Sequence, residues 1–570
     1  MVSGWQARFC RTHLETAAFK FQLRLGHHLP DTVAAAFAAS AERWPDRPFV
    51  AVLPETAAAY AIPAGELSYA QAQQRSAGLR RAYLDAGYGH GHRVGLLLDN
   101  RPAFFLHWLA LNALGVSVVP ISSDLRAAEL EYLIGHSEVA LVGAMPQRHA
   151  GLRGAAQAAR RQLGLVADRD APPLAPGKPP LAGTAPNELS ECALLYTSGT
   201  TGSPKGCILP NRYFLHAGRW YVGVGGLCAL RLGIERLLTP LPLVHMNAMA
   251  FSSLAMLLTG GCLVLVDRFH PGTWWANVRE SRASAVHYLG VMPSILMQAP
   301  PGADDARHGV RFGFGAGVDK ALHAGFEARF GFPLLVGWAM TETGAGAVIM
   351  ANAEPRCVGT NCFGRETGDV RVRVVGDDGE EAGVGQPGEL WVRSAGADAR
   401  DGFFAGYLKD EPATREAWAQ GWFHTGDIVS RDAQGLLHFI DRRKNVIRRS
   451  GENISAMEVE SVLNQMPEVK ACAVAATPDT LRGDEVLACI VTHESVAPGR
   501  RDALARRIVQ HALAQLAYFK APGYVAFVDE LPLTASQKIQ RGELKALALA
   551  LPGQPHCIDT RAMKKRQETA

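Results

Sequence analysis

None of the ten cysteines of this 570-residue chain stands in a CxxC pair, which leaves no basis for a zinc ribbon or a thioredoxin-type centre. The closest two, Cys357 and Cys362, read as free thiols in a reducing compartment. Net charge is scarce as well. Lys and Arg number 58 against 54 Asp and Glu, a balance of +4 that gives little pull towards nucleic acid or anionic lipid, and no basic stripe interleaved with aromatics occurs. The opening MVSGWQARFCRTHLETAAFK lacks the apolar core of a signal peptide, and the closing ETA is not a peroxisomal tripeptide. A cytoplasmic enzyme is therefore expected.

Two stretches lack charge altogether. Residues 237–266 contain no Asp, Glu, Lys or Arg, and Pro102 to Ser123 form a second such run. Either is long enough to span a bilayer. In the first, however, Pro240, Pro242, His245, Asn247 and the pair Gly260-Gly261 divide the run into a loop, a helix-length piece and a strand-like piece, the pattern of a buried α/β segment. In the second, FFLHWLALNAL passes through Gly115 into VSVVPI. Both predict buried cores of a large soluble protein.

A chain of this length exceeds what one hydrophobic core fills, so more than one domain is expected. From Leu29 to about Met145, helical stretches alternate with short apolar strands, which predicts a largely parallel sheet covered by helices. Residues 169–190, with six prolines, read as an exposed connector. The alternation then resumes through ALLYTSGT, CLVLVD, AVHYLGV, GVRFGFGAG and PLLVGWAM. From about Thr367 it gives way to hairpins, and beyond Lys444 to a compact α+β texture. The domains expected are 1–443 as the main body, 444–552 as a C-terminal domain and 553–570 as a tail.

The segment Tyr196 to Gly206, YTSGTTGSPKG, follows an apolar strand. Gly199, Gly202 and Gly206 let backbone amides approach an anion, Thr197, Ser198, Thr200, Thr201 and Ser203 offer hydroxyls, and Lys205 adds positive charge. A polyphosphate suits it. The Walker A pattern is absent, because Lys205 is preceded by Pro204 and followed by Gly206.

This string resembles the phosphate-loop signature of the adenylate-forming superfamily of acyl- and aryl-CoA ligases, peptide-synthetase adenylation domains and luciferases. Further segments resemble that family's landmarks in its order. They are PLPLVH at 240–245, GFGAG at 313–317, GWAMTETG at 337–344, GWFHTGD at 421–427, DRRKNVIRRSGENISAMEVE at 441–460 and LPLTASQKIQR at 531–541. The resemblance covers about residue 30 to 545. It implies an α/β fold: a multi-sheet body of parallel sheets with a small β-barrel-like portion, and a small mobile α+β C-terminal domain that turns about Lys444.

Activating a carboxylate on ATP brings two anions together, so positive charge at the reacting centre is the main requirement. By resemblance Lys538 bridges the acyl carboxylate and the α-phosphate, Glu342 holds Mg2+ together with Thr201, and Thr341 donates to phosphate. Gly315, Ala316, Gly317, Gly337, Trp338, Ala339 and Met340 flank the adenine. Asp427, assisted by Arg442, accepts from the ribose. His245, Asn247, Ala248, Gly344 and Ala345 are implied to line the acyl site, with His245 closing it during adenylation, and the small residues at Gly315, Ala316, Gly317, Gly344, Ala345 and Gly346 suggest a roomy pocket. Gly451 lies where pantetheine passes, and Arg448 and Arg449 are candidates for CoA phosphates or for a solvated basic face. The chain departs from the family at Gln537, where a glycine usually precedes the lysine.

The activity so implied is that of an ATP- and CoA-dependent acid–CoA ligase using Mg2+. The flavour is that of crotonobetaine/carnitine–CoA ligases and medium-chain acyl ligases, and a homodimer is compatible with it. A free-standing enzyme that loads a carrier protein and a non-catalytic nucleotide-binding relative are the competing readings.

Overall fold

The computed structural model describes residues 30–125, 127–167, 170–175, 179–181, 184–197, 204–442, 445–449, 452–479, 483–516, 518–533 and 539–564. They fall into two compact units. One is built from residues 30–197, 204–372 and Val392–Phe423, the other from Arg373–Trp391 and residues 424–564.

The first unit holds two sheets. In one, strands Pro48–Val52, Cys262–Leu265, Arg236–Thr239, Ala285–Leu289, Phe312–Ala316 and Leu334–Trp338 lie side by side, all parallel. Antiparallel strands Gly65–Ser68 and Ile349–Met350 close its edges. These sequences are near-continuous apolar runs because helices cover both faces of such a sheet. Trp274, Val278, Phe326 and Phe330 pack on it as part of one buried cluster. The other sheet is parallel through Gly164–Val166, Leu141–Ala144, Arg93–Leu97, Ser117–Pro120 and Glu191–Thr197. It continues antiparallel through Lys205–Pro210 and the short strand Gly406–Tyr407.

Both uncharged runs are interior structure. Helix Pro102–Asn112 is buried at every position but its first. The longer run supplies all but the first residue of strand Arg236–Thr239, then helix Ser253–Thr259 and strand Cys262–Leu265, with residues 248–266 buried throughout. Among the described residues no helix is long and apolar enough to cross a membrane. One element went unforeseen: the chain enters this helix through a π-helical turn, Asn247–Ser252. Ser252 Oγ donates to the Asn247 carbonyl over 3.2 Å, and Ser253 Oγ to that of Ala248 over 2.6 Å. Both bonds span five residues, the spacing of the π-helical turn itself, and Ser253 N–H donates to the same Ala248 carbonyl.

In the second unit, residues 427–431 of strand Trp422–Arg431 form an antiparallel ladder with strand Leu436–Arg442. The expected α+β portion follows. Strands Val469–Asp479 and Gly483–Thr492 pair antiparallel, and Tyr524–Phe527 joins them parallel. Helix Pro498–Gln515 lays Leu504, Ala505, Ile508, Val509 and Ala512 on their face, at the spacing of one helical stripe.

Candidate active site

In a parallel sheet the carboxyl ends of the strands form the crevice where ligands bind. Three strands of the first sheet deliver expected site residues to that end. Arg236–Thr239 runs into the loop of His245, Phe312–Ala316 ends at Ala316 and Gly317, and Leu334–Trp338 leads through Ala339 and Met340 to Thr341 and Glu342. Between them Ala285–Leu289 pairs with both neighbours, placing Tyr288 opposite Gly315. His245, Ala316, Gly317 and Ala339 are exposed there, whereas Trp338 is buried beside Phe363 at a ring separation of 6.4 Å.

The two ends of the phosphate segment lie on adjacent antiparallel strands. Thr197 sits opposite Lys205 and Tyr196 opposite Gly206, which brings both ends of the signature to one point. Strand Gly406–Tyr407 pairs on the outer side, Tyr407 opposite Cys207, and Leu408 N–H donates to the Gly206 carbonyl. The chain then turns through Asp410, whose Oδ1 caps helix Glu411–Ala417 by accepting from Ala413 N–H at 3.0 Å. Lys205 Nζ consequently lies 3.8 Å from Asp410 Oδ2 and 4.8 Å from the centre of the Tyr407 ring. An ion pair this exposed is worth roughly 0.2–1 kcal/mol, so it holds Lys205 only lightly against the pull of a polyphosphate.

Tyr407 Oη donates to Glu342 Oε1 over 2.9 Å. Burial, and next the Glu342 carboxylate itself, push the Tyr407 hydroxyl far above its ordinary pKa, so it remains a neutral donor. The Glu342 backbone is held as well, its carbonyl accepting from Phe404 N–H, and the preceding Thr341 carbonyl accepts from Tyr213 Oη at 2.9 Å. Among the described residues no three His, Cys, Asp or Glu gather as a metal cage. A single buried carboxylate, with its second partners on a phosphate ligand, is the donor set that suits Mg2+.

The glycines near this segment do not make space. A Cβ on Gly344, at φ +50°, would run into the Tyr213 ring and the Gly402 carbonyl. One on Gly346 would meet the Phe403 ring and the Asp401 carbonyl, and one on Gly315 the Tyr288 carbonyl. Their small size serves close backbone packing, which corrects the expectation of open space at these three positions; Ala345 is likewise buried in that packing, while Ala316 and Gly317 are exposed.

In the second unit, Asp427 and Arg442 are cross-strand partners, with Arg442 Nε 2.8 Å from Asp427 Oδ1. Asp427 is buried at 1% exposure, and Arg442 is much more open. Thr425 Oγ1 accepts from Asp427 N–H and donates to the Leu390 carbonyl, fixing the turn. On either side of position 444, Asp441 accepts from Asn445 Nδ2, Ser455 Oγ and Met457 N–H. Arg449 cannot serve CoA phosphates. Strand alternation places it on the inner face with Ile447, where it bonds both oxygens of buried Glu485 at 2.9 Å, and Lys564 pairs with the same carboxylate. Ser198, Gly199, Thr200, Thr201, Gly202, Lys444, Gly451, Gln537 and Lys538 lie outside the described residues. The segment of Lys538 is bracketed by a bridge between Leu533 and Ile539 and by Arg541, which bonds both oxygens of Glu460 at 2.7 and 2.8 Å.

Sequence reasoning missed Tyr407, Asp410 and Tyr213. The only local sign of Tyr407 and Asp410 is GYLKD, an aromatic and charged cluster too short to stand out, and Tyr213 sits unmarked in the helical segment NRYFLHAGRW.

The AMP-binding enzyme family matches residues 37–408, and its C-terminal domain matches 458–538. The sulfoacetate–CoA ligase of Cupriavidus necator is 34% identical over 526 residues, 90% of this chain and 97% of that protein. The crotonobetaine/carnitine–CoA ligase of Shigella flexneri is 27% identical over 84% of this chain and 93% of its own length. Among solved structures, ATP-bound MatB from Rhodopseudomonas palustris superposes with a TM-score of 0.74 at 24% identity, over 90% of this chain and 98% of that one. The anthranilate CoA ligase AuaEII bound to anthranoyl-AMP gives 0.76 at 21%, over 92% and 98%.

Proposed function

The chain belongs to the AMP-binding enzyme family, and from that premise we propose how its residues divide the work of joining an acid to CoA. The protein is an ATP-dependent acid–CoA ligase. A carboxylate attacks the α-phosphorus of ATP to give acyl-AMP and pyrophosphate, and the CoA thiol then displaces AMP to give the thioester.

Lys205 leaves Asp410 to meet the ATP phosphates together with the amides and hydroxyls of residues 197–203. Glu342 and Thr201 hold Mg2+, which supplies charge neutralisation on the phosphates. Tyr407 orients Glu342 by donating to one oxygen and leaving the carboxylate ionised. Thr341 donates to phosphate, and Lys538 bridges the two reacting anions. Asp427 accepts from the ribose, and Arg442 keeps it charged and oriented. Lys444, directly before Asn445, is the hinge on which residues 444–552 turn between half-reactions. The observation that carries this division is the continuous chain Asp410–Lys205–Tyr407–Glu342, which joins the phosphate hairpin to the metal carboxylate.

The likeness to ligases named for sulfoacetate and for crotonobetaine or carnitine supports a small acid carrying a second charged group. A homodimer in the cytoplasm is the assembly and place to test first. Radiolabelled pyrophosphate exchange over a panel of sulfonated, betaine-like, straight-chain and aromatic acids tests the first half-reaction, and CoA-dependent release of AMP tests the second. Exchange with no acid would overturn the ligase reading. Exchange with AMP release that answers only to a carrier protein would favour a carrier loader.

A further inference from the structure

His287 lies in the middle of strand Ala285–Leu289, fully buried, and no step of the reaction uses it. Its ring is nonetheless bonded at both ends. Tyr221 Oη stands 2.9 Å from Nε2, and Nδ1 lies 2.6 Å from Asn247 Oδ1 and 2.9 Å from Ser252 Oγ. These groups can be satisfied together in one way. The Tyr221 hydroxyl is buried and has only Nε2 near it as acceptor among the bonds of the described residues, so it donates there. Nδ1 then carries the proton and donates to Asn247 Oδ1. Ser252 spends its own proton on the Asn247 carbonyl, so its oxygen accepts as well. Burial lowers the His287 pKa to about 3, which keeps the ring neutral and this tautomer in place.

The consequence falls on Asn247, at the start of the π-helical turn and two residues beyond His245. With its amide oxygen committed to His287, its two N–H donors are held on the opposite edge of the carboxamide. We propose that Asn247 is the specificity-determining residue of the acyl site, and that His287 positions it so that its N–H donors select acids bearing an acceptor-rich anionic group, such as a sulfonate, beyond the reacting carboxylate. This rests on the ligase reading and on the placement of Asn247 at the acyl site. Ser252 and Tyr221 complete the clamp, and the π-turn is the backbone form that brings Asn247 and Ser252 to the same ring nitrogen.

The test compares sulfoacetate with 3,3-dimethylbutanoate, which has nearly the same shape but no distal acceptors, by pyrophosphate exchange. The wild type is expected to favour sulfoacetate by about ten-fold or more in kcat/KM, because the apolar analogue leaves donors unpaired. N247L and H287L should bring the ratio to within about three-fold, chiefly through a raised KM for sulfoacetate, while H287Q, which can both accept from Tyr221 and donate to Asn247, keeps most of the discrimination. Should H287L fail to fold, N247L and H287Q carry the comparison. A wild type that prefers dimethylbutanoate, an N247L variant with an unchanged ratio, or an H287Q variant as indiscriminate as N247L overturns the proposal while leaving the ligase reading intact. Absence of exchange with every acid overturns both.

Discussion

The hydroxyl of Tyr407 and the carboxylate of Glu342, 65 residues apart in the chain, are joined by one hydrogen bond of 2.9 Å. It ties a two-residue edge strand beside the phosphate hairpin to the segment that follows the last parallel strand of the other sheet. Conversion of Tyr407 to Phe removes that bond without adding charge. The expected result is about a 10–100-fold rise in the Mg2+ concentration needed for pyrophosphate exchange, with folding intact. Glu342→Gln should lose more, and EDTA should stop exchange in both variants and in the wild type.

Lys538 is assigned to adenylation alone. Lys538→Ala should abolish pyrophosphate exchange while thiolysis of supplied acyl-AMP by CoA continues at close to the wild-type rate. Equal loss of both half-reactions would sink that division.

Asp427 and Arg442 make a cross-strand pair in which only the acid is deeply buried. Asp427→Asn keeps the shape but weakens acceptance from the ribose hydroxyls, so the KM for ATP should rise about ten-fold, the worth of one charge-assisted hydrogen bond. Arg442→Gln should raise it less. An unchanged KM in Asp427→Asn removes the ribose role.

His287 binds its proton far less readily in the folded chain, at about pH 3, than the ordinary value near 6.5. Between those values the unfolded chain holds the extra proton, so the stability contributed by the neutral ring is complete above pH 6.5 and is lost as pH falls towards 3. The slope approaches about 1.4 kcal/mol per pH unit. Urea unfolding at pH 7, 6, 5 and 4 should show this loss in the wild type and a shallower one in H287Q. Parallel pH dependences would remove the buried ring as its source.

Several parts of the site were legible residue by residue. YTSGTTGSPKG reads as a phosphate-binding segment because glycine, hydroxyl and lysine chemistry is local, and the pairing of the strands at its two ends, Thr197 opposite Lys205, is between near neighbours too. The two uncharged runs were read as interior α/β structure because prolines and paired glycines interrupt them, and the fold bears that out. Arg449 went the other way. In the string it is one of two adjacent basic residues, and nothing local says that Glu485, 36 positions on, will neutralise it in the interior. The glycines at 344 and 346 misled for a similar reason: a small residue marks either open space or a close neighbour, and the neighbours here, Tyr213 and Phe403, come from distant segments.

The sequence by itself determined the class of chemistry, because phosphate loops, an apolar strand rhythm and a lysine-bearing terminal segment are written in contiguous residues. Tertiary structure alone decided which side chains orient the others. Tyr407 reaches Glu342, and Tyr221, His287 and Asn247 share one ring, only after parallel strands far apart in the chain are laid edge to edge. Burial then makes each unpaired polar group costly enough that a single hydrogen-bonding arrangement survives.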